Sequence, residues 1–203
     1  MRKMIKISSL LIFTMFLNSC ASGYKKINPE TINYVSKSIE NNIVLEYKYD
    51  LLEKKYKKKE TKNNIKLIAV KLTNNSEKEI VFGKDIRFSY ENGNEVSLIE
   101  TEKLFKTIKQ SPASYLWYLL LTPMNLYTTG SNGEQTSSTP IGLVVGPGLA
   151  GGNMIAASSA NKNFKNELMQ FDLNGRTIKK GETVYGLIGS NSNSYESIKI
   201  KVQ

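Results

Sequence analysis

Residues 65–96, IKLIAVKLTNNSEKEIVFGKDIRFSYENGNEV, decide how the fold is read. Ile65, Leu67 and Ala69 alternate with Lys66, Ile68, Val70 and Leu72. A period of two with apolar side chains on both faces predicts a strand buried on much of both sides. Thr73-Asn74-Asn75-Ser76 ends it, and Glu79–Phe82, Asp85–Tyr90 and Glu95–Ile99 follow as shorter strands. Asn92-Gly93, between the last two, supplies the positive φ angles of a tight hairpin turn. Short strands joined by turns predict an antiparallel architecture rather than an α/β one.

Toward the N-terminus, Ile43, Leu45, Tyr47, Tyr49 and Leu51 alternate with Glu46, Lys48 and Asp50, a strand with one wet face that is expected to run on to Tyr56. Before it, Asn28-Pro29-Glu30 has the signals of a helix start, and Ile32, Val35 and Ile39 recur at helical spacing, which predicts a helix up to Asn41-Asn42 that docks on the sheet. Lys54–Lys62 holds six lysines against Glu60 alone. Lys55, Lys57, Lys58 and Lys59 are candidate contacts to an anionic surface, the competing reading being a hairpin tip kept soluble by charge. No aromatic residues interleave with the lysines as a base-stacking groove requires, so nucleic acid is not expected as a partner.

At the other end, Val184–Ile188 and Ser197–Val202 read as two strands, with Ile198, Ile200 and Val202 on one face and Lys199 and Lys201 on the other. The stretch Val70–Val96 resembles the strand, polar turn, strand and hairpin of immunoglobulin-like modules in bacterial envelope proteins. Ile178-Lys179-Lys180-Gly181-Glu182-Thr183 resembles the I-x-x-G-E-T turn before a late strand of such modules. The resemblance implies a mainly β fold, an Ig-like antiparallel β-sandwich, here with an N-terminal helix and a helical, Gly-rich apolar insertion. It implies no activity, because such sandwiches share no common site.

The insertion covers about residues 111–160, where Glu134 is the only charged residue although the chain as a whole is 23% charged. Ala113–Thr122 is an apolar run with a helix start at Ser111-Pro112. Tyr127–Thr139 is polar and turn-like, and Pro140–Ala157 is apolar again and expected to break at Gly146-Pro147-Gly148. Gly142 with Gly146, and Gly148 with Gly152, stand at the G-x-x-x-G spacing that lets helices approach closely, and Trp117 suits a water–lipid boundary. These five residues are candidate contacts to a membrane or to another envelope protein; the alternative is that the segment only covers the chain's own core. Each arm is short for spanning, since about ten residues make a helix of roughly 15 Å against a hydrocarbon core of about 30 Å. Asn161–Phe171 then places Phe164, Leu168 and Phe171 on one side of a separate amphipathic helix, with an asparagine to cap it.

The first twenty residues, MRKMIKISSLLIFTMFLNSC, carry the address. Arg2, Lys3 and Lys6 precede an eleven-residue apolar stretch, Ile7–Leu17, of the length of a signal core and too short for a permanent span. Leu17-Asn18-Ser19-Cys20 resembles the lipobox of bacterial lipoproteins. That resemblance implies that residues 1–19 are a cleaved leader, that Cys20 is acylated and becomes the first residue, and that residues 20–27 are a lipidated tether to a single domain over 28–203. Several acyl chains, at about 0.8 kcal/mol per buried methylene, hold a protein on a membrane where one does not. Without an acidic cluster after Cys20, an outer-membrane, periplasm-facing location is expected.

Setting the leader aside lowers the net charge from +10 to +7, a basic surface that suits anionic lipid. There is no histidine, and Cys20 is the sole cysteine, which excludes internal disulfides, Cys/His zinc sites and Ser-His or Cys-His catalysis. Just three acids, Asp50, Asp85 and Asp172, are aspartates, and none lies in a calcium-type loop. The expectation is a non-enzymatic binding or assembly module without cofactor or metal; the alternatives are a purely structural lipoprotein and a carboxylate-based enzyme.

Overall fold

The computed structural model describes residues 20–192 and 194–202. The leader and the residues of the lipobox before Cys20 lie outside them. In chain order the elements are β1 (Ser36–Glu40), β2 (Ile43–Lys48), α1 (Lys54–Lys62), β3 (Lys66–Asn74), β4 (Ile80–Val81), β5 (Ile86–Tyr90), β6 (Leu98–Ile99), α2 (Thr101–Ile108), β7 (Leu126–Thr129), β8 (Gln135–Thr139), α3 (Gly142–Gln170), β9 (Thr177–Ile178), β10 (Thr183–Ser190) and β11 (Ile198–Val202). They fall into two compact units, one made of residues 24–109 and 161–203, the other of residues up to 23 together with 110–160.

The first unit is built on antiparallel sheets. Its main sheet has the order β1-β2-β3-β10-β6, and β5 pairs with β11 and β4 with β9 in two further ribbons. β3 lies between β2 and β10, and its side chains are buried on both faces over most of its length, in keeping with a sequence apolar on both faces. One core collects Leu45 and Tyr47 from β2, Val70 and Leu72 from β3, Phe88 from β5, Ile178 from β9, Val184 from β10 and Ile198 and Ile200 from β11. In β11 Lys199 and Lys201 point to solvent, as the alternation predicts. Two glycines of β10 admit close neighbours: a Cβ on Gly186 would lie 2.3 Å from the Leu173 side chain, and one on Gly189 2.6 Å from Leu104 of α2. The turn before β10 is formed as read, with Gly181 at φ +76° and the Lys179 N–H donating to the Glu182 carboxylate at 2.8 Å.

Three local expectations are corrected. The helix over residues 29–40 is a single 3-10 turn, Pro29–Thr31, followed by strand β1. Asn28 caps it as read, accepting from the Glu30 N–H at 3.2 Å, but Asn41 and Asn42 both take positive φ and close a two-residue hairpin from β1 into β2. Val35 and Ile39 are accordingly exposed instead of forming a docking stripe. Second, β2 stops at Lys48, and the lysine run is neither strand nor hairpin tip but the helix α1. Tyr56 and Glu60, four apart, form its buried side, and the lysines fill the rest. Third, the Asn92-Gly93 turn forms, with Gly93 at φ +83°, yet its return arm makes one bridge to β5 and leaves to pair as β6 with β10.

The second unit contains a ten-residue 3-10 segment, Pro112–Leu121, the β7–β8 hairpin and the first part of α3. The Gly146-Pro147-Gly148 break and the separate helix at Asn161 are both corrected: α3 is one helix of 29 residues that runs through Pro147. An interior proline costs about 3 kcal/mol through a lost hydrogen bond and a clash with the preceding turn. Packing offsets that. Gly142, Gly146, Ala150 and Ala157 form a buried stripe of small residues, and a Cβ on Gly142 would come within 2.2 Å of the Leu121 carbonyl oxygen. Asn161 lies inside the helix and not at its start; its side-chain oxygen accepts from the Tyr56 hydroxyl at 3.0 Å. Phe164 and Leu168 are buried as expected.

Candidate functional site

The 3-10 segment sets the character of the smaller unit. In a 3-10 helix residues three apart stack on one line, so an apolar run of ten turns a single line inward and leaves two outward. Tyr115 and Tyr118 take the inward line, their rings parallel and 6.5 Å apart, and pack with Ala150 and Ala157 of α3. Leu116, Trp117, Leu119 and Leu120 are left outside, Trp117 at 74% and Leu120 at 69% exposure. On α3, Leu143, Val144 (76%) and Ile155 (73%) are exposed likewise. These two elements thus place seven large apolar side chains at the surface of the smaller unit.

The two G-x-x-x-G pairs divide. Gly142 and Gly146 are spent inside the unit, where a Cβ on Gly146 would lie 2.9 Å from Thr122 Oγ1 and 3.1 Å from the Tyr118 carbonyl oxygen. Gly148 and Gly152 meet nothing within 4 Å and leave the outer side of α3 smooth.

Cys20 is exposed and opens the described chain. The residues after it are held by side chains. The Ala21 N–H donates to Asn153 Oδ1 of α3 at 2.5 Å, and Asn153 Nδ2 donates to the Leu149 carbonyl at 2.7 Å, fixing the orientation of that amide. Ser22 is gripped twice by the buried side chain of Gln110: its N–H donates to Oε1 at 3.2 Å and its carbonyl accepts from Nε2 at 2.7 Å. Tyr115 donates to the same Oε1 at 3.3 Å. Further along, in the β unit, Glu167 Oε2 accepts from the Tyr24 hydroxyl at 2.5 Å and from the Ile27 N–H at 2.9 Å. Burial and the neighbouring carboxylate push the Tyr24 phenol well above its ordinary range.

The lysine candidates separate too. Lys57 is paired with Asp50 at 2.5 Å, which raises its pKa and takes it out of the group. Lys58 is exposed, Lys55 half-buried. Lys59, also half-buried, has its pKa lowered first by desolvation, then by the charges of Lys62 on α1 and of Lys109 at the end of α2. Gln110 and Asn153 were not legible as site residues. The one hint was that Asn153 is the single amide side chain in the apolar stretch over residues 140–160.

Among the described residues no group of three or more His, Cys, Asp or Glu side chains could hold a metal, and no helix is long and apolar enough to cross a membrane. A pocket of about 240 Å³ in the β unit has Glu100 and Asp172 among its lining residues. No protein-family model, curated protein or solved structure matches the chain.

Proposed function

We propose that the chain is a lipoprotein anchored through acylated Cys20 to the periplasmic side of an outer membrane, and that its apolar unit lies in the head-group layer beside the anchor. The β unit, which we read as an Ig-like sandwich, is then the part presented for binding or assembly, without catalysis. One observation carries this reading: Asn153 and Gln110 hold Ala21 and Ser22, so no slack chain separates the acylated residue from the unit that exposes Trp117, Leu120, Leu143 and Val144. Acyl chains on Cys20 therefore bring that surface to the lipid. Each exposed leucine or valine moved out of water gains up to roughly 1.5–3 kcal/mol, so a few of them suffice to seat the unit. The near absence of charge over residues 111–160 removes the main cost of shallow insertion. The reading that the segment only covers its own core fits Gly142 and Gly146 but leaves the outer leucines unexplained.

Trp117 is the sole tryptophan and makes the test direct. Residues 20–203, which hold every described element, are mixed without acylation with neutral phosphatidylcholine vesicles. The expected result is a blue-shifted emission quenched by lipids brominated near the head group. Emission that stays red-shifted and unquenched overturns the membrane seat. Separately, Cys20→Ser in cells is expected to abolish fatty-acid labelling and leader removal.

A further inference from the structure

Glu167 carries more than its place in the fold requires. It is 3% exposed, and Oε2 alone fixes the segment ahead of β1, accepting from the Tyr24 hydroxyl at 2.5 Å and from the Ile27 N–H at 2.9 Å. Oε1 is buried too and accepts from no group among the described residues. A glutamine would hold Tyr24 and Ile27 as well, since an amide oxygen also has two lone pairs, and it would bury no charge. The second oxygen therefore needs a donor from outside the chain. Space for one lies beside it, in a cavity of about 460 Å³ within the β unit, walled by Tyr24, Lys26, Asn163, Asn166, Glu167 and Gln170. That is the size of a small-molecule site, roughly 300–1,000 Å³, and far more than a water needs.

The chemistry of the wall narrows the ligand. Asn163, Asn166, Glu167 and Gln170 stand at i, i+3, i+4 and i+7 on the last two turns of α3, on one face of the helix. The three carboxamides are exposed and uncommitted among the described residues, each offering donors and an acceptor. Exposed side chains change rotamer freely, so a donor reaches Oε1 without a change in the backbone. Lys26, also exposed, has no acidic group within ion-pair distance among the described residues, whereas its neighbour Lys25 pairs with Glu53 at 2.6 Å. One cavity thus holds a carboxylate oxygen and an ammonium that are unpaired and do not pair with each other. A ligand of single sign satisfies one of these charges and is repelled by the other; a ligand of both signs satisfies both. We infer that the cavity binds a free α-amino acid with an uncharged polar side chain. Its ammonium donates to Glu167 Oε1, its carboxylate meets Lys26, and its side chain exchanges hydrogen bonds with the amides of α3. Charge-assisted bonds at both ends favour this ligand over a sugar, which offers hydroxyls alone. The site belongs to the β unit and does not depend on the anchor at Cys20.

The test uses unacylated residues 20–203 and calorimetric titration with L-glutamine and with L-asparagine. At least one is expected to bind; binding of neither overturns the proposal and leaves water as the partner of Oε1. Glu167→Gln keeps the acceptor for Tyr24 and Ile27, so the melting temperature should hold while affinity falls about 10-fold or more. The N-acetyl derivative of the amino acid, which lacks the ammonium, should bind the parent as weakly, and Glu167→Gln should weaken it no further. In the same way Lys26→Met should cost the amino acid several-fold and its α-carboxamide, which lacks the carboxylate, nothing. Lys162→Met, an equal change of charge outside the cavity wall, should leave every affinity as it is. Losses that are the same for the amino acid and its derivatives overturn the proposal, as does N-acetylglucosamine binding more tightly than either amino acid. If Glu167→Gln lowers stability, the Lys26→Met comparison decides, because that side chain is exposed.

Discussion

Asn153 accepts the Ala21 amide proton at 2.5 Å, which fastens the residue after Cys20 to the side of α3. A segment with no secondary structure of its own is thereby ordered by two carboxamides, Asn153 and Gln110, from parts of the chain more than eighty residues away.

Removing those amides should free it. Asn153→Ala takes one hydrogen bond from the segment, worth about 1 kcal/mol, together with the amide's own bond to the Leu149 carbonyl, whereas Gln110→Ala leaves the buried Ser22 N–H and carbonyl unpaired and is expected to cost the segment about 2 kcal/mol or more. Amide hydrogen exchange over residues 20–23 should accelerate in both variants, and more in the second. Unchanged protection would show that these bonds do not hold the segment.

The glycines of α3 should split into two classes. Gly142→Ala drives a Cβ into backbone oxygens and is expected to destabilise the smaller unit by about 2 kcal/mol, in the range of overpacking. Gly152→Ala meets open space and should stabilise the helix by up to about 1 kcal/mol. Thermal unfolding of the two variants side by side reads the opposite signs.

Glu60 should make stability fall as pH rises. Burial raises its pKa above the ordinary 4.5, against the Leu67 N–H that donates to its carboxylate at 2.8 Å and against Lys66. Between the ordinary value and the raised one the folded chain binds more protons than the unfolded, so the contribution is largest below that window and declines through it. Glu60→Gln keeps an acceptor for Leu67 and removes the titration. Melting temperatures of the parent minus those of the variant should therefore drop as pH increases from about 4.5 toward neutrality, and a flat difference would contradict the buried ionisation.

Leu120→Ser and Val144→Ser address the outer surface alone. Both side chains are mostly exposed, so stability is expected to change by less than about 0.5 kcal/mol, while association with neutral vesicles should fall several-fold. Loss of stability comparable to a core substitution would mean that these positions are covered within the chain.

The strands that the sequence revealed are those whose pattern has one cause. β3, β10 and β11 follow a period of two because each lies against a core, and the Gly181 and Gly93 turns were legible because only a few residues accept positive φ. β1 was misread because Ile32, Val35 and Ile39 match a helical period by coincidence; the better signal was Asn41-Asn42, a pair suited to the left-handed turn of a hairpin. α1 was hidden by its charge, since two buried positions among nine residues give a weak stripe. Pro147 was read as a break because its local cost is certain, whereas the tight packing of Gly142 and Gly146 that offsets it involves residues 118–124 and shows only in three dimensions.

By itself the sequence determined what depends on composition and local pattern: the lack of histidine and of a second cysteine, the alternating strands, the uncharged stretch with one tryptophan, and the lipobox-like run ending at Cys20. Tertiary structure alone decided which small residues are used up in packing and that Ala21 and Ser22 are fastened. The reason is physical: propensity and period act over a few residues along the chain, while hydrogen bonds to a distant amide and repulsion between distant charges depend on spatial separation, which chain order does not specify.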